Sequence, residues 1–307
     1  MQKRFTIIII HKNGKERLLN LINSLLPDIT NKDQIIICDN NSKDDSLNLP
    51  NEILQNKFIK IIRNSENKGY GIAANQVINH ELSKFYLICN NDIVMPKNYL
   101  NNFESSFIKN SNIGMITGQL YDLKNKKTKT SGFLPTFLSE FDGIGRFRHS
   151  KDSNEFSEIE NVRGACLAVK SDLINDIGSF NEKFFFYFED TEWCYRIKKS
   201  KWSIFINPSI KIKHMGGAST ESFFYPTRIE FFRSRIIFWY ECFGIYACIV
   251  LLSWNMPKMF LDTLFYLIMT LITLGKSKKF RNKFLERIYI FLWILLGLPR
   301  SWRLNKK

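Results

Sequence analysis

The chain is predicted to be an α/β protein built on a parallel β-sheet, with an apolar helical region at its C-terminal end. Short runs rich in isoleucine and phenylalanine alternate with segments of helical periodicity in its N-terminal third. This alternation is typical of a parallel sheet covered by helices. Beyond residue 228 the composition changes to longer apolar stretches that are followed by basic residues. These two observations divide the chain into an α/β part and a helical part.

Four apolar runs are predicted to be strands of the sheet: Phe5–Ile10, Gln34–Cys38, Phe58–Ile62 and Phe85–Cys89. Ligands of open α/β sheets bind beyond the carboxyl ends of the strands. The residues that follow the first, second and fourth runs are rich in Asn, Asp or Ser, at positions 11–14, 39–46 and 90–92. Each could be a turn and nothing more. Three such turns on one edge of one sheet favour a shared site.

A glycine-containing turn at residues 67–75 precedes a helix start made of small residues. Backbone N–H groups in such a turn can approach a phosphate. The glycine spacing is neither that of a dinucleotide-binding motif nor that of a P-loop. Phosphate binding is therefore an expectation that depends on the neighbouring turns.

Two adjacent acids, Glu189 and Asp190, follow the aromatic run at 184–188, where the pattern changes to helical spacing. An acid at this position can cap the helix and interact with its dipole. Two acids followed by Glu192 exceed what capping requires, so one of them is a candidate base. Further along, Trp202–Asn207 and the alternating run ending at His214 are predicted strands.

His214 is expected at a strand end facing the same cleft, before Gly216 and Gly217, where backbone can come close to a ligand. A surface histidine with no such role is the alternative. Residues 121–160 lack periodicity and are rich in polar residues. They are interpreted as an irregular segment that faces the acceptor.

The formal net charge of +15 indicates an anionic partner. Residues 276–307 carry ten basic side chains and one acid, so +9 of this charge lies beside apolar segments. That location favours acidic lipid, and nucleic acid is disfavoured because no aromatic and basic RNA-binding motif accompanies the charge. The apolar segments are Ile236–Ser253, Met259–Leu274 and Ile288–Leu298.

Each of these segments is too short for a spanning helix or is interrupted by an acid. Interfacial helices or a hairpin dipping into the bilayer are predicted. A helical subdomain, or a dimer interface, is the alternative. The six cysteines have no metal-ligand or disulfide-framework spacing and are read as reduced, and no export signal is recognised, so a cytoplasmic location is expected.

The ordered set of motifs resembles the family 2 glycosyltransferases, and within them the rhamnosyltransferase-like branch. The resemblance covers roughly residues 4–235. The matching motifs are the first strand with His11–Asn13, the 38–46 and 67–71 turns, Leu87–Asp92, Gly164–Cys166, the helix at Glu189 and Asp190, and the 214–219 segment. The resemblance implies a GT-A fold, here a catalytic domain over residues 1–227 followed by a membrane-associating helical region over 228–307.

The resemblance also implies roles for individual residues. Asp39 matches the acid that contacts the base or ribose of a nucleotide sugar, and the other residues expected around that donor are Asn13, Asn41, Ser42, Asn67, Gly69, Asn75 and Asn91. Residues 90–92 occupy the place of the Asp-X-Asp motif, in which Asp92 binds Mg²⁺ or Mn²⁺. Asn90 departs from the motif and leaves one fewer charge for the metal. His214 matches a further metal ligand, Asp190 matches the general base, and Glu189 is its positioning neighbour.

This chemistry requires one base only. A metal neutralises the departing nucleoside diphosphate, so a single carboxylate is left to deprotonate the acceptor hydroxyl, and in-line attack inverts the anomeric carbon. We expect transfer from a UDP- or dTDP-linked sugar, with rhamnose the first guess, to a saccharide or lipid-linked saccharide in bacterial surface polysaccharide synthesis. The expected location is the cytoplasmic side of the inner membrane, in peripheral or monotopic form. The alternative is a non-catalytic membrane partner that retains the fold, and the oligomeric state is not predicted.

Overall fold

Four parallel strands form the N-terminal half of the sheet. The computed structural model describes residues 2–141, 154–215 and 224–304. The four strands stand in the order β3-β2-β1-β4 and are β1 (Lys3–His11), β2 (Asp33–Asp39), β3 (Ile59–Arg63) and β4 (Ser83–Asn90). His11 pairs with Asp39, and Ile10 pairs with Asn90. The polar turns after these strands therefore lie side by side at one edge, as predicted.

Helices α1 (Lys15–Leu25), α2 (Asn51–Leu54) and α3 (Tyr70–Ile78) connect these strands. The sheet is covered on both faces because successive strand residues point in opposite directions. Ile7 and Ile9 belong to the core cluster that includes the buried face of α1, whereas Ile8 and Ile10 belong to the cluster that includes α3. The apolar run of β1 is thus explained by burial on both faces.

The second half of the sheet is mixed. Its elements are β5 (Ile93–Val94), α4 (Tyr99–Ile108), β6 (Ile113–Tyr121), β7 (Ser131–Gly132), α5 (Phe137–Phe141), β8 (Ser157–Ile159), β9 (Asn161–Val162), β10 (Cys166–Lys170), α6 (Ser171–Ile177), α7 (Glu189–Lys198) and β11 (Ser203–His214). The order continues β4-β10-β6-β11-β5, and β10 is antiparallel to both of its neighbours. The prediction of a parallel sheet is right for β1 to β4 and incomplete beyond them.

One strand, β11, replaces the two that the sequence predicts around Pro208. Its pairing with β6 shifts register between Asn207 and Lys211. Proline has no N–H to donate, so the irregularity falls there without ending the strand. The last residue, His214, pairs with Ile93 of β5 and is brought next to the 90–92 turn.

The C-terminal region consists of α8 (Phe224–Ile272) and α9 (Lys278–Leu295). Helix α8 is broken at Gly244, whose φ of 82° favours glycine. The chain reverses there, since Cys248 Sγ lies 3.6 Å from the carbonyl oxygen of Ile236. Met259 of the second arm packs with Ile229 of the first arm and with residues of α9. The two arms of α8 therefore form a helical hairpin, and its insertion into a bilayer stays a prediction.

Within the described ranges, α8 is the one helix whose length and composition would allow it to cross a membrane, over Tyr225–Ile272. Only 28% of its most apolar window is buried, unlike a core helix of a soluble protein. Large apolar side chains at the hairpin tip and along the second arm are exposed, among them Tyr246, Phe260, Leu261, Phe265, Leu271 and Ile272. An apolar surface of this extent marks an interaction site.

The helices are attached to the α/β part through its aromatic run. Phe184 is buried among Phe238 and Trp239 of α8. Arg235 of α8 forms a buried ion pair with Glu140 of α5. Helix α8 begins at Phe224, so the expected boundary after residue 227 falls within its first turn. All six cysteines are free thiols.

Candidate active site

Two loops at the sheet edge are joined by side-chain hydrogen bonds. The Ser42 hydroxyl donates to Asp39 Oδ1 over 2.5 Å and accepts from the backbone N–H of Asn13 over 2.8 Å. The backbone N–H of Lys43 donates to Asn13 Oδ1 over 2.8 Å. Asn13 and Asn41 have φ values of 56° and 63°, which asparagine tolerates better than most residues. Asp39 thus holds the loop in shape from a buried position.

His11, to which the sequence analysis gave no role of its own, connects the turns at the same edge. Its side chain is fully buried. Asn91 Nδ2 donates to His11 Nδ1 over 2.9 Å, so Nε2 carries the proton and donates to the Ser46 hydroxyl over 2.8 Å. Burial lowers the pKa of His11 to about 4, so the ring is neutral at pH 7. His11 is a structural link between three turns.

These turns enclose a cavity of about 440 Å³, which we name the β1–β4 cavity. Six of the predicted site residues line it: Asn13, Asn67, Gly69, Asn90, Asn91 and Asp92. Asp39, Asn41 and Ser42 are not among its lining residues. Its basic side chains are Lys12, Lys43 and Arg303, and its carboxylate is Asp92. This balance of charge suits an anionic ligand.

The glycine turn forms one wall of the β1–β4 cavity. Gly69 has φ +88°, and a Cβ there would lie 2.3 Å from the carbonyl oxygen of Phe185. Only glycine fits this approach between the turn and the aromatic run. Asn75 is not brought to the cavity. Its buried amide donates to the Phe180 carbonyl over 2.9 Å and to Glu182 over 3.0 Å, so it fixes α3 to the 180–182 loop.

Asp92 and His214 meet at the rim of the sheet. His214 Nε2 lies 3.3 Å from Asp92 Oδ1. That oxygen is buried and has no hydrogen-bond partner among the described residues. A buried carboxylate oxygen without a donor calls for a cation. The pair therefore fits a divalent metal, although the described residues contain no cluster of three or more His, Cys, Asp or Glu ligands. Gly216 and Gly217, predicted to approach a ligand beside it, lie outside the described residues.

A second cavity of about 250 Å³, the α7 cavity, contains the two acids. Tyr187 and Phe188 immediately precede α7 with φ values of 69° and 66°. Bulky residues rarely adopt this conformation, which costs about 1 to 3 kcal/mol for each residue. The turn directs Glu189 and Asp190 into the cavity, where strain of this kind is characteristic of a functional site.

Asp190 is held by three hydrogen bonds. The Gly164 N–H donates to Oδ2 over 2.8 Å, and the N–H and hydroxyl of Thr191 donate to Oδ1 over 2.7 and 3.2 Å. Burial raises the pKa of Asp190 above its ordinary value, against these bonds, which lower it. The carboxylate is therefore a stronger base than an exposed Asp.

Glu189 has a different environment. It is buried, and its Oε2 has no hydrogen-bond partner among the described residues. Burial, and next the charge of Asp190, raise the pKa of Glu189 to about 8. At pH 7 Glu189 is mostly protonated while Asp190 is the group prepared to accept a proton. Environments that separate two carboxyl groups in this way are typical of acid and base sites.

The two cavities share Tyr70, Asn90 and Phe186 in their walls. The Tyr70 hydroxyl donates to the Gly164 carbonyl over 2.9 Å, which connects the glycine turn to the residue that orients Asp190. His214 lines the α7 cavity, while its partner Asp92 lines the β1–β4 cavity. The Asp92 and His214 pair therefore stands at the junction of the two cavities.

Several residues missed by the sequence analysis complete the α7 cavity. Phe231 and Arg235 come from α8, and Glu140 and Phe133 come from the 121–160 segment. The sequence offered two signals for this cavity: the aromatic run, whose residues 186–188 line it directly, and the polar 121–160 segment that was expected to face the acceptor. The described part of the 121–160 segment thus lies opposite the acids, while residues 142–153 lie outside the described ranges.

The mixed sheet, with polar turns at the carboxyl ends of its parallel strands, is a fold of the GT-A type. The chain matches the family model described as glycosyl transferase family 2 over residues 6–171, which is more than half of its length. The chain therefore belongs to glycosyl transferase family 2, as the motifs predicted.

Individual relatives are distant. The chain is 22% identical over 203 residues to the low-salt glycan biosynthesis hexosyltransferase Agl10 of Haloferax volcanii, a match that covers 65% of this chain and 63% of the relative. It thus spans less than two thirds of that protein.

Solved structures show the same fold. The mannosyltransferase PcManGT of Pyrobaculum calidifontis, in complex with GDP-Man and Mn²⁺, has a TM-score of 0.57 at 12% identity, covering 97% of this chain and 88% of that one. TarS 1-349 of S. aureus, in complex with UDP, has a TM-score of 0.54 at 14% identity, covering 82% and 70%. The predicted GT-A fold is confirmed.

Proposed function

We propose that the protein is an inverting, divalent-metal-dependent glycosyltransferase that uses a UDP- or dTDP-linked sugar. The observation that carries the proposal is the junction of two cavities, with the Asp92 and His214 pair on one side and Asp190 on the other. Rhamnose is the first donor sugar to test, because the motifs resemble the rhamnosyltransferase-like branch. The acceptor is a saccharide or a lipid-linked saccharide in bacterial surface polysaccharide synthesis.

The donor occupies the β1–β4 cavity in this proposal. The nucleoside lies toward the loop shaped by Asp39, and the diphosphate lies toward Asn90, Asn91 and Asp92 at the carboxyl end of β4. This is where α/β sheets bind nucleotides. The solved complexes of the neighbours contain UDP or GDP-Man, which supports a nucleotide-sugar ligand for this fold.

Asp92 and His214 would hold Mg²⁺ or Mn²⁺, with Asn90 as a neutral neighbour. When bound, such a metal supplies the positive charge that stabilises the departing nucleoside diphosphate. The orphaned Oδ1 of Asp92 supports the assignment, and so does the Mn²⁺ in the mannosyltransferase structure. The remaining ligands would come from the diphosphate and from water.

The acceptor occupies the α7 cavity. Its hydroxyl gives its proton to Asp190, its oxygen bonds to the anomeric carbon, and the bond from that carbon to the diphosphate breaks. Gly164 and Thr191 keep the carboxylate oriented throughout. Attack from the side opposite the leaving group gives inversion. Aromatic side chains at 186–188 can stack on the apolar faces of a sugar.

The α8 hairpin and α9 are proposed to bind the cytoplasmic face of the inner membrane, peripherally or as a monotopic anchor, with residues 1–227 as the catalytic domain and 228–307 as the membrane region. The exposed apolar side chains of the hairpin and the exposed bases at the start of α9 support this location. A lipid-linked acceptor would then be presented next to α8, which already lines the α7 cavity.

The test is a titration of the purified protein with UDP, dTDP and GDP in Mn²⁺, followed by a hydrolysis screen of nucleotide sugars. We expect one nucleotide to bind clearly more tightly and its sugars to be hydrolysed slowly. A protein that binds none of them would be the non-catalytic membrane partner that keeps this fold.

A further inference from the structure

The C-terminal segment at residues 299–304 returns to the catalytic part of the molecule after α9. Ser301, Arg303 and Leu304 line the β1–β4 cavity, and so does Pro226 near the start of α8. No motif in the sequence connects this segment with the turns of the sheet edge. The cavity is therefore built from both ends of the chain.

The path of this segment is fixed by aromatic packing. Trp302 stacks on Tyr289 of α9, with ring centroids 4.7 Å apart, and Tyr289 packs on Tyr225 of α8 at 4.8 Å. Trp293 Nε1 donates to the Pro299 carbonyl over 3.1 Å. The residue next to Trp302 is consequently held in one place, against the cavity.

Arg303 carries more positive charge than its surroundings neutralise. Its Nε is buried and has no hydrogen-bond partner among the described residues. The neighbouring acid, Glu230, is buried and already accepts a hydrogen bond from Arg233 over 2.9 Å. One carboxylate thus faces two guanidinium groups, and a buried N–H without an acceptor is costly. An anion in the β1–β4 cavity, which Arg303 lines, would supply the missing negative charge.

We propose that Arg303 binds the diphosphate of the nucleotide-sugar donor, so that the C-terminal segment forms a working wall of the donor site. A guanidinium group suits this ligand because its planar N–H donors match phosphate oxygens. The inference rests on the proposed donor site. It adds that the membrane-binding helices, which fix the segment through Trp302, also set the position of a donor-binding cation.

The experiment measures binding to the full-length protein in Mn²⁺ for wild type, Arg303→Ala, Arg303→Lys and Arg300→Ala. The probes are the nucleoside diphosphate that wild type binds most tightly among UDP, dTDP and GDP, and the corresponding nucleoside. Arg300 is the matched control because it belongs to the same segment, is exposed and does not line the β1–β4 cavity. Thermal unfolding of each variant shows whether the fold is intact.

We expect the Arg303→Ala variant to bind the nucleoside diphosphate about 10- to 100-fold more weakly than wild type, because it loses a charge-assisted hydrogen bond to phosphate. Nucleoside affinity should stay within about twofold, Arg303→Lys should fall in between, and Arg300→Ala should match wild type. Equal diphosphate affinity in Arg303→Ala and wild type would overturn the inference and leave the proposed function intact. Failure of wild type to bind any nucleoside diphosphate would overturn both.

Discussion

Replacing Glu189 by Gln is expected to remove a loss of stability that the wild-type protein shows as the pH rises. The pKa of Glu189 is raised from 4.5 to about 8 in the folded protein by burial and by Asp190. A carboxyl group with a raised pKa favours folding while it stays protonated. Its contribution to the free energy of unfolding is fully present below pH 4.5, which is the pKa in the unfolded chain, and is lost as the pH rises through about 8, the pKa in the folded protein.

The size of this effect follows from the two pKa values. At about 1.36 kcal/mol per pH unit, the interval from 4.5 to about 8 corresponds to about 5 kcal/mol. Relaxation around the ionised group reduces this, so we expect wild type to lose about 2 to 5 kcal/mol more than Glu189→Gln across the interval. Denaturant unfolding of both proteins in mild detergent at a series of pH values measures the difference directly.

Glu192→Gln is the matched control, since Glu192 is equally buried in the same helix. Its carboxylate accepts two hydrogen bonds from Arg196, over 2.8 and 3.0 Å. Removing this charge breaks a pair and should destabilise the fold at pH 7 by about 1 to 3 kcal/mol. Parallel pH profiles for wild type and Glu189→Gln would refute the account of Glu189 as a buried, mostly protonated acid.

Three further predictions concern the base, the metal and the membrane. Gly164→Ala places a Cβ about 3.1 Å from Asp190 Oδ2 and should displace this carboxylate. We expect kcat to fall about 10- to 100-fold with donor affinity unchanged. An unchanged kcat would show that this contact does not orient Asp190. Asp92→Ala should lower donor binding to the level that wild type shows in EDTA, and added Mn²⁺ should not restore it. Wild-type donor binding that does not change in EDTA would remove Asp92 from its role. Neutralising the exposed bases Lys278, Lys279 and Arg281 of α9 should weaken binding to anionic vesicles by about 1 kcal/mol per charge and leave binding to neutral vesicles unchanged. Neutralising Lys124, Lys126 and Lys129 in the 121–130 loop removes the same charge and should leave binding to both kinds of vesicle unchanged.

The parallel half of the sheet could be predicted from the sequence because its signals are local. Strands β1, β2 and β4 are short apolar runs buried on both faces, and each is followed by a polar turn at one edge. Strand direction in the second half could not be predicted, since β10 looks like any apolar run and its antiparallel placement depends on the path between strands. The prediction of two strands around Pro208 was wrong for a similar reason, because in the sequence a register shift within one strand resembles a strand end.

The structure places the motif residues Asp92 and Asp190 in the walls of the two cavities, while their roles stay predictions. Asn75 shows the opposite case. It follows the glycine turn in sequence, yet it lies in the second turn of α3, where its amide faces the 180–182 loop. Arg235 reaches the α7 cavity from the first arm of α8, and Arg303 reaches the β1–β4 cavity from the segment after α9, whose path depends on how the chain folds back at Gly244. The sequence pattern of residues 299–304 does not indicate that this segment lies against the distant β1–β4 cavity.

The central claim is that Asp190 removes the proton from the acceptor hydroxyl. Asp190→Asn tests it most directly, because an amide of the same shape keeps an oxygen for the Gly164 N–H and cannot accept the proton. With the active donor from the nucleotide-sugar screen, we expect donor affinity within about twofold of wild type and a rate of sugar transfer lower by about 10² to 10⁴-fold. A rate of transfer equal to that of wild type would contradict the claim.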